Sequence, residues 1–292
     1  AQQSHMLPAP VFEIAGQLGL SDCYAARPTV IEGFQGKPID AACGAFHTVV
    51  LTSTHIYTCG NNKYGQLGRQ GPTSQFCHLT LSSMFLYSVV QVACGAEHTL
   101  ALTGNGQVHA FGSNRFSQLG VPSVEGLSFE SKTVTGLSDV QRIACGYYHN
   151  VAINRVGQVF CWGFNRHGQL GQGHVRTEGS PVAVVSSLRD FTFASECSCG
   201  PHSTAIVDAE GEVYVWGMNT SKSWDEDCLL PRLVDDLSGK YGSNYFIRQF
   251  GCGMSHFVAL TDSRASLAMD SIVRMCNSKL SSMEVEQMEM LL

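Results

Sequence analysis

Short runs of mostly apolar residues return along this chain at near-regular intervals. Thr48-Val49-Val50-Leu51, Thr99-Leu100-Ala101-Leu102, Val151-Ala152-Ile153 and Phe257-Val258-Ala259-Leu260 each predict a short buried strand. A tight turn follows, clearest at Gly104-Asn105-Gly106, Val156-Gly157 and Glu210-Gly211, where such pairs suit hairpins that need positive φ. A second strand comes next, at Gln107–Phe111, Gln158–Trp162 and Glu212–Trp216. It closes on an aromatic-Gly-x-Asn element at Phe111–Asn114, Trp162–Asn165 and Trp216–Asn219, with Cys59-Gly60-Asn61-Asn62 as its aromatic-free version.

Ahead of each first strand stands a Cys-Gly pair followed by a histidine. Cys43-Gly44 with His47, Cys94-Gly95 with His98, and Cys145-Gly146 with His149 are close copies; Cys199-Gly200 with His202, and Cys252-Gly253 with His256, are looser ones. The glycines recur every 51 to 54 residues, so one supersecondary unit is copied in tandem. The unit ends in Gly-Gln-Leu-Gly at 65–68 and 168–171, nearly so at 117–120, whereas the fourth unit runs Thr220-Ser221-Lys222-Ser223-Trp224 instead. The connectors 69–88, 121–138, 172–190 and 221–246 are each expected to hold one more strand and an exposed loop. Units of this kind are propeller blades, which bury their faces against their neighbours. In that setting Cys-Gly is small enough for the narrow inner end of a wedge. The histidine can bond backbone between blades, and the leucine can plug the interface while the glutamine satisfies loop amides.

Composition narrows the function. Only 14% of the 292 residues are charged and 30 are glycine, which fits tightly turning β structure. A net charge of −6 argues against a nucleic-acid surface, and no apolar run is long enough to cross a bilayer. Of the twelve cysteines, five sit at one repeat position and read as small buried apolar residues. A reducing compartment, cytoplasmic and/or nuclear, is therefore expected. Ser4-His5-Met6 reads as a cloning remnant, which sets residues 1–6 apart.

Residues 39–262 resemble the regulator of chromosome condensation repeat family, on the Cys-Gly-x-x-His-Thr, Gly-x-Val-x-x-Trp-Gly-x-Asn and Gly-Gln-Leu-Gly elements in order and register. The resemblance implies an all-β propeller over residues 7–262. Five units are visible where the family typically has seven. A reduced ring, divergent blades within the connectors, or a piece of a larger ring all remain open. The fifth unit stops at Leu260-Thr261-Asp262, before its second strand. Val11–Ala15 followed by Gly16-Gln17-Leu18-Gly19 is expected to complete it and close the ring, because an open arc leaves raw strand edges. The tail 263–292 breaks the pattern: it lacks Gly and Pro, and Leu267, Ile272, Met275, Leu280, Met283 and Met288 fall at roughly helical spacing. A short helical, Met-rich tail is expected there.

Residues present in every blade are there to build the blade, which is the expected role of the Cys, Gly and His positions named above. Cys197-x-Cys199 with His202 lacks the fourth ligand and second pair of a zinc site. Neither a metal nor a cofactor is expected, nor a catalytic residue. The positions that depart from the repeat are the candidate partner contacts: Trp224 with the acidic run Asp225, Glu226 and Asp227, and Met283, Met288 and Leu291 in the tail. The function expected is a non-catalytic protein-interaction scaffold, acting as adaptor or regulatory subunit. The alternative is guanine-nucleotide exchange on a small GTPase, which the resemblance implies because some family members act so on Ran. No basic tail is present to take an exchanger to DNA. The family's ultraviolet sensors need clustered tryptophans, and this chain has three.

Overall fold

A computed structural model describes residues 16–19, 27, 30–31, 35–70, 77–79, 89–184, 193–218, 227–234, 245–253, 256–263 and 271–276. The described chain is all strand and turn, in five antiparallel sheets taken in sequence order. The first is β1 (Pro38–Cys43), β2 (His47–Thr52), β3 (Ile56–Gly60) and β4 (Cys77–Leu79). The second is β5 (Val89–Cys94), β6 (His98–Thr103), β7 (Val108–Ser113) and β8 (Leu127–Thr133). The third is β9 (Val140–Cys145), β10 (His149–Asn154), β11 (Val159–Gly163) and β12 (Glu178–Ala183). The fourth is β13 (Ala194–Cys199), β14 (Ser203–Asp208), β15 (Val213–Gly217) and β16 (Cys228–Leu233). The fifth is β17 (Tyr245–Cys252), β18 (His256–Ser263) and β19 (Ser271–Cys276). Each connector thus carries the extra strand its length called for, and β1, β5, β9, β13 and β17 lie side by side as the inner strands of successive blades.

The blades join through a repeated hydrogen-bond relay. His47 Nε2 lies 3.0 Å from Thr99 Oγ1, which donates to the Gln66 carbonyl at 2.8 Å. His98 Nε2 lies 2.7 Å from Asn150 Oδ1, and Asn150 Nδ2 donates to the Gln118 carbonyl at 2.7 Å. His149 Nε2 lies 3.0 Å from Thr204 Oγ1, which donates to the Gln169 carbonyl at 2.8 Å. The histidine therefore reaches a side chain of the next blade rather than backbone, because that side chain already bridges back to the histidine's own closing loop. In the fourth blade Ser203 holds the histidine's place and His202 moves one residue out, to the surface. The glutamines behave as expected: Gln66, Gln118 and Gln169 each accept from the amide two residues earlier. Leu67, Leu119 and Leu170 are fully buried, and Trp162 and Trp216 donate to the Gln118 and Gln169 carbonyls across the interface.

Two expectations change in the fifth sheet. Ser271–Cys276, inside the expected helical tail, is a strand paired along β18, with Val273 opposite Ala259 and Ile272 opposite Leu260. The open edge of β18 offers a full ladder of hydrogen bonds, and that outweighs a loose helical spacing of apolar residues. The propeller sheet accordingly runs past residue 262. β19 holds the place beside β18 in a sheet of three described strands; Val11–Ala15, expected to complete this blade, lie outside the described residues. Gly16–Gly19 does serve as an inter-blade bracket: Thr48 Oγ1 donates to the Gln17 carbonyl at 2.8 Å, the bond that Thr99 makes to Gln66.

Candidate functional site

The turns between first and second strands, and the loops that close the third, lie together on one side of the blades. In four blades the residue after the strand-closing glycine donates to the preceding turn: Asn61 to Phe46, Ser113 to Glu97, Phe164 to Tyr148 and Met218 to His202, at 2.7–2.9 Å. Phe46, Glu97, Tyr148 and His202 are therefore structurally equivalent, although their chemistry differs completely. This turn side surrounds a small axial well.

The well is a cavity of about 280 Å³ walled by Cys43-Gly44, Cys94-Gly95, Cys145-Gly146 and Cys199-Gly200, with Tyr147 and Pro201 at its margin. Its narrowness follows from the glycines. A Cβ on Gly95 would lie 2.8 Å from the Gly146 carbonyl oxygen, and one on Gly200 would lie 2.7 Å from that of Gly253. Tyr147 N donates to the Pro201 carbonyl and Ala96 N to the Tyr147 carbonyl, tying three blades at the rim. The cysteines are free thiols that line this well, and Cys94, Cys145 and Cys199 also pack against the apolar cores. Burial pushes the Cys94, Cys145 and Cys199 thiols up, and the Cys252 thiol up to about 12 with the Ser198 hydroxyl opposing. Such thiols are poor nucleophiles.

Around the well runs a collar of rings. Phe116 packs 4.9 Å from Tyr148 and 5.0 Å from Phe164, centroid to centroid. Phe164 lies 6.3 Å from His202, which also meets Tyr147 at 5.7 Å and His167 at 5.2 Å. At one end Arg115 Nη1 is 3.4 Å from the Tyr64 hydroxyl, with Lys63 5.4 Å from the Tyr64 ring. At the other, His167 Nδ1 is 2.9 Å from Asp227 Oδ2. Burial raises the Tyr148 phenol, with Glu97 adding to this and Arg115 opposing it. Burial, then the neighbouring His167, lowers His202, so its imidazole is held neutral against that of His167.

The repeat histidines have a different environment. Burial, then the charge of His98, lowers His47 to about 3; burial lowers His98 to about 4; burial, then His202 and His98, lowers His149 to about 3. They are neutral linkers with Nε2–H as donor, since the Asn150 amide and the threonine hydroxyls already donate elsewhere.

Of the sequence-predicted contacts, the structure brings Asp227 to the collar, where His167 meets it. Trp224, Asp225, Glu226, Met283, Met288 and Leu291 lie outside the described residues, and nothing is described of the His256 side chain. His202, weighed above with Cys197 and Cys199 as an incomplete zinc set, faces the collar, and among the described residues no three His, Cys, Asp or Glu groups converge as a metal would require. The collar itself was missed. Its signal lay in comparing equivalent positions of successive units: Lys63-Tyr64, Arg115-Phe116 and Arg166-His167 are one basic-plus-ring pair repeated three times.

A model of the RCC1-like domain matches residues 13–269. The chain belongs to the RCC1-like domain family. Among RCC1-like relatives, the human probable E3 ubiquitin-protein ligase HERC6 is 33% identical over 231 residues, covering 76% of this chain and 22% of that protein. The RCC2 homolog of Danio rerio is 31% identical over 278 residues, covering 85% of this chain and 54% of the relative. The chain thus spans about half, or much less, of the curated relatives it matches. The crystal structure of human WBSCR16 superposes with a TM-score of 0.72 at 26% identity, over 85% of this chain and 65% of that one. No helix among the described residues is long and apolar enough to cross a membrane.

Proposed function

We propose that this RCC1-like chain is a non-catalytic docking module whose turn-side collar receives a partner protein. The observation that carries this reading is the continuous stripe Phe116–Tyr148–Phe164–His202, assembled from three blades by residues that no blade-building contact requires. Rings and arginines concentrate at the energetic centres of protein interfaces, and a rigid ring of blades presents them without an ordering cost. The chemistry of the well supports binding over catalysis: its Cys94, Cys145 and Cys199 thiols are pushed up by burial, and the repeat histidines are closed into inter-blade relays.

The test is photo-crosslinking with a benzophenone side chain placed at Tyr147, on the collar, or at Val156, which is 70% exposed on the opposite hairpin turn. Partner crosslinks from position 147 and none from 156 are expected; the reverse pattern would remove the collar as the docking face. Nucleotide-release measurements distinguish docking from exchange. A docking module leaves the off-rate of nucleotide from a small GTPase unchanged, and acceleration at sub-stoichiometric chain would replace this reading with exchange.

A further inference from the structure

Three blades repeat a cation beside a ring at one loop position: Lys63-Tyr64, Arg115-Phe116 and Arg166-His167. All three cations are exposed. The ion pairs of the described residues are Lys132–Glu130, Arg142–Glu196, His167–Asp227 and His174–Glu178, so Lys63, Arg115 and Arg166 form no ion pair among the described residues. Arg115 and Lys63 instead sit 5.9 and 5.4 Å from the Tyr64 ring, which orients both charges without neutralising them. The loops that hold these residues are fixed from beneath: the Asn62, Asn114 and Asn165 side chains accept from Leu67 N, Leu119 N and Leu170 N at 2.9–3.0 Å. The three charges are thus presented on rigid supports one blade apart, on a chain whose net charge is −6.

We infer that the collar binds an acidic, extended segment of a partner protein, its carboxylates meeting Lys63, Arg115 and Arg166 while its apolar side chains lie on Phe116, Tyr148 and Phe164. This rests on the docking reading and adds the chemistry of the partner. A protein segment fits better than a nucleic acid, because carboxylates accompany the cations: Glu97 and Arg115 both act on the Tyr148 phenol, and Asp227 pairs with His167, next to Arg166 in sequence. An unbroken run of phosphates would pass over both carboxylates, whereas a peptide can place neutral residues there. Guanidinium groups already oriented on a ring lose less freedom on binding a carboxylate than free ones do.

The experiment measures fluorescence anisotropy of the full chain with four labelled probes: a peptide of three Glu-Phe-Glu-Gly repeats, the same peptide with Lys for Glu, the same with Gln for Glu, and a twelve-nucleotide oligothymidylate. The acidic peptide is expected to bind tightest. Its affinity should fall about tenfold or more in the Lys63→Ala/Arg115→Ala/Arg166→Ala variant, and should weaken as salt is raised. These residues are exposed, and an unchanged thermal transition checks that the variant is folded. Tighter binding of the Lys or Gln peptide, still lost in Tyr147→Ala/Phe164→Ala, would overturn the acidic assignment while leaving the docking face standing. Tightest binding of the oligothymidylate, an unchanged affinity in the triple variant, or no binding of the acidic peptide would each overturn it as well. In that last case crosslinking from position 147 remains the separate judge of docking.

Discussion

Lowering the pH should dismantle this propeller through its repeat histidines, and the slope can be worked from the structure. In the folded chain His47, His98 and His149 titrate near 3, 4 and 3, all below the ordinary 6.5. Burial is the main cause in each, with the Asn150 bond opposing it at His98. Between those values and 6.5 the unfolded chain takes up protons that the folded chain refuses, so stability is full above pH 6.5 and falls as the pH drops. Each histidine contributes a limiting slope of about 1.4 kcal/mol per pH unit. Three together approach about 4 kcal/mol per unit, and about 6 kcal/mol is lost between pH 7.5 and 5, which is comparable to the whole stability of an ordinary domain. His149→Ser installs the serine that the fourth blade carries at Ser203 and removes one of the three protons. The assay is urea denaturation across that pH range, followed by fluorescence of the buried Trp162 and Trp216. The variant should start lower at pH 7.5 by about 1–2 kcal/mol for the lost bond. It should then lose about 2 kcal/mol less than the parent on acidification. His109, also lowered by burial, and Asp208, raised by burial, contribute equally to both proteins and cancel in the difference; His202, whose charge helps lower His149, is coupled to the substituted site. Equal pH slopes for parent and variant, or a parent whose stability is flat from pH 7.5 to 5, would refute the reasoning.

Other outcomes follow from close contacts and burial. Gly146→Ala would place its Cβ 2.0 Å from His149 Cε1 and 2.7 Å from the Gly200 carbonyl oxygen, and should cost about 3 kcal/mol or more in denaturant unfolding. Gly251→Ala, with nothing among the described residues within 4 Å, should stay within about 0.5 kcal/mol. Trp162→Ala removes a fully buried ring and its bond to the Gln118 carbonyl, and should cost about 3–5 kcal/mol by the same measurement. Limited alkylation at pH 8 with peptide mapping should modify the exposed Cys43 well before Cys94, Cys145 or Cys199, whose thiols burial keeps protonated.

The parts of this fold legible in the sequence are those repeated in place. The strands from His47, His98 and His149, their hairpin partners and the Gly-Gln-Leu-Gly brackets each serve one local geometry. Three or four copies of one answer remove the ambiguity of any single one. The fifth blade was misread because seven residues separate β18 from β19, against the three or four that separate equivalent strands elsewhere. Without a tight turn to mark it, the pairing of Ser271–Cys276 was hidden behind an apolar spacing that a helix also satisfies. The collar was legible only as a repeated cation-and-ring pair; its assembly into one surface was not. Its members come from loops about one repeat apart, and only closure of the blades makes Phe116 and Tyr148 neighbours.

The same repetition explains where specificity can reside. A position inside the relay serves two blades at once, so changing it damages both, and the side chains there hardly vary: histidine donates, threonine or asparagine passes the bond on, and a glutamine carbonyl ends it. A position on the turn side serves neither blade. Its backbone ties the turn to the closing loop within one blade, as the bonds from the Asn61, Ser113, Phe164 and Met218 amides do, and the turn side chain is left out of the bond. Phe46, Glu97, Tyr148 and His202 can therefore differ freely while their backbones stay superimposable. Variation allowed at one equivalent site in each blade is delivered by the ring to one face around the axial well. A surface on which each blade supplies a different side chain at a fixed place can distinguish partners without any change in the fold beneath it. On the docking reading proposed above, the collar would be that surface, with Arg115, Phe116, Tyr147, Tyr148 and Phe164 as the residues through which partner choice would be altered.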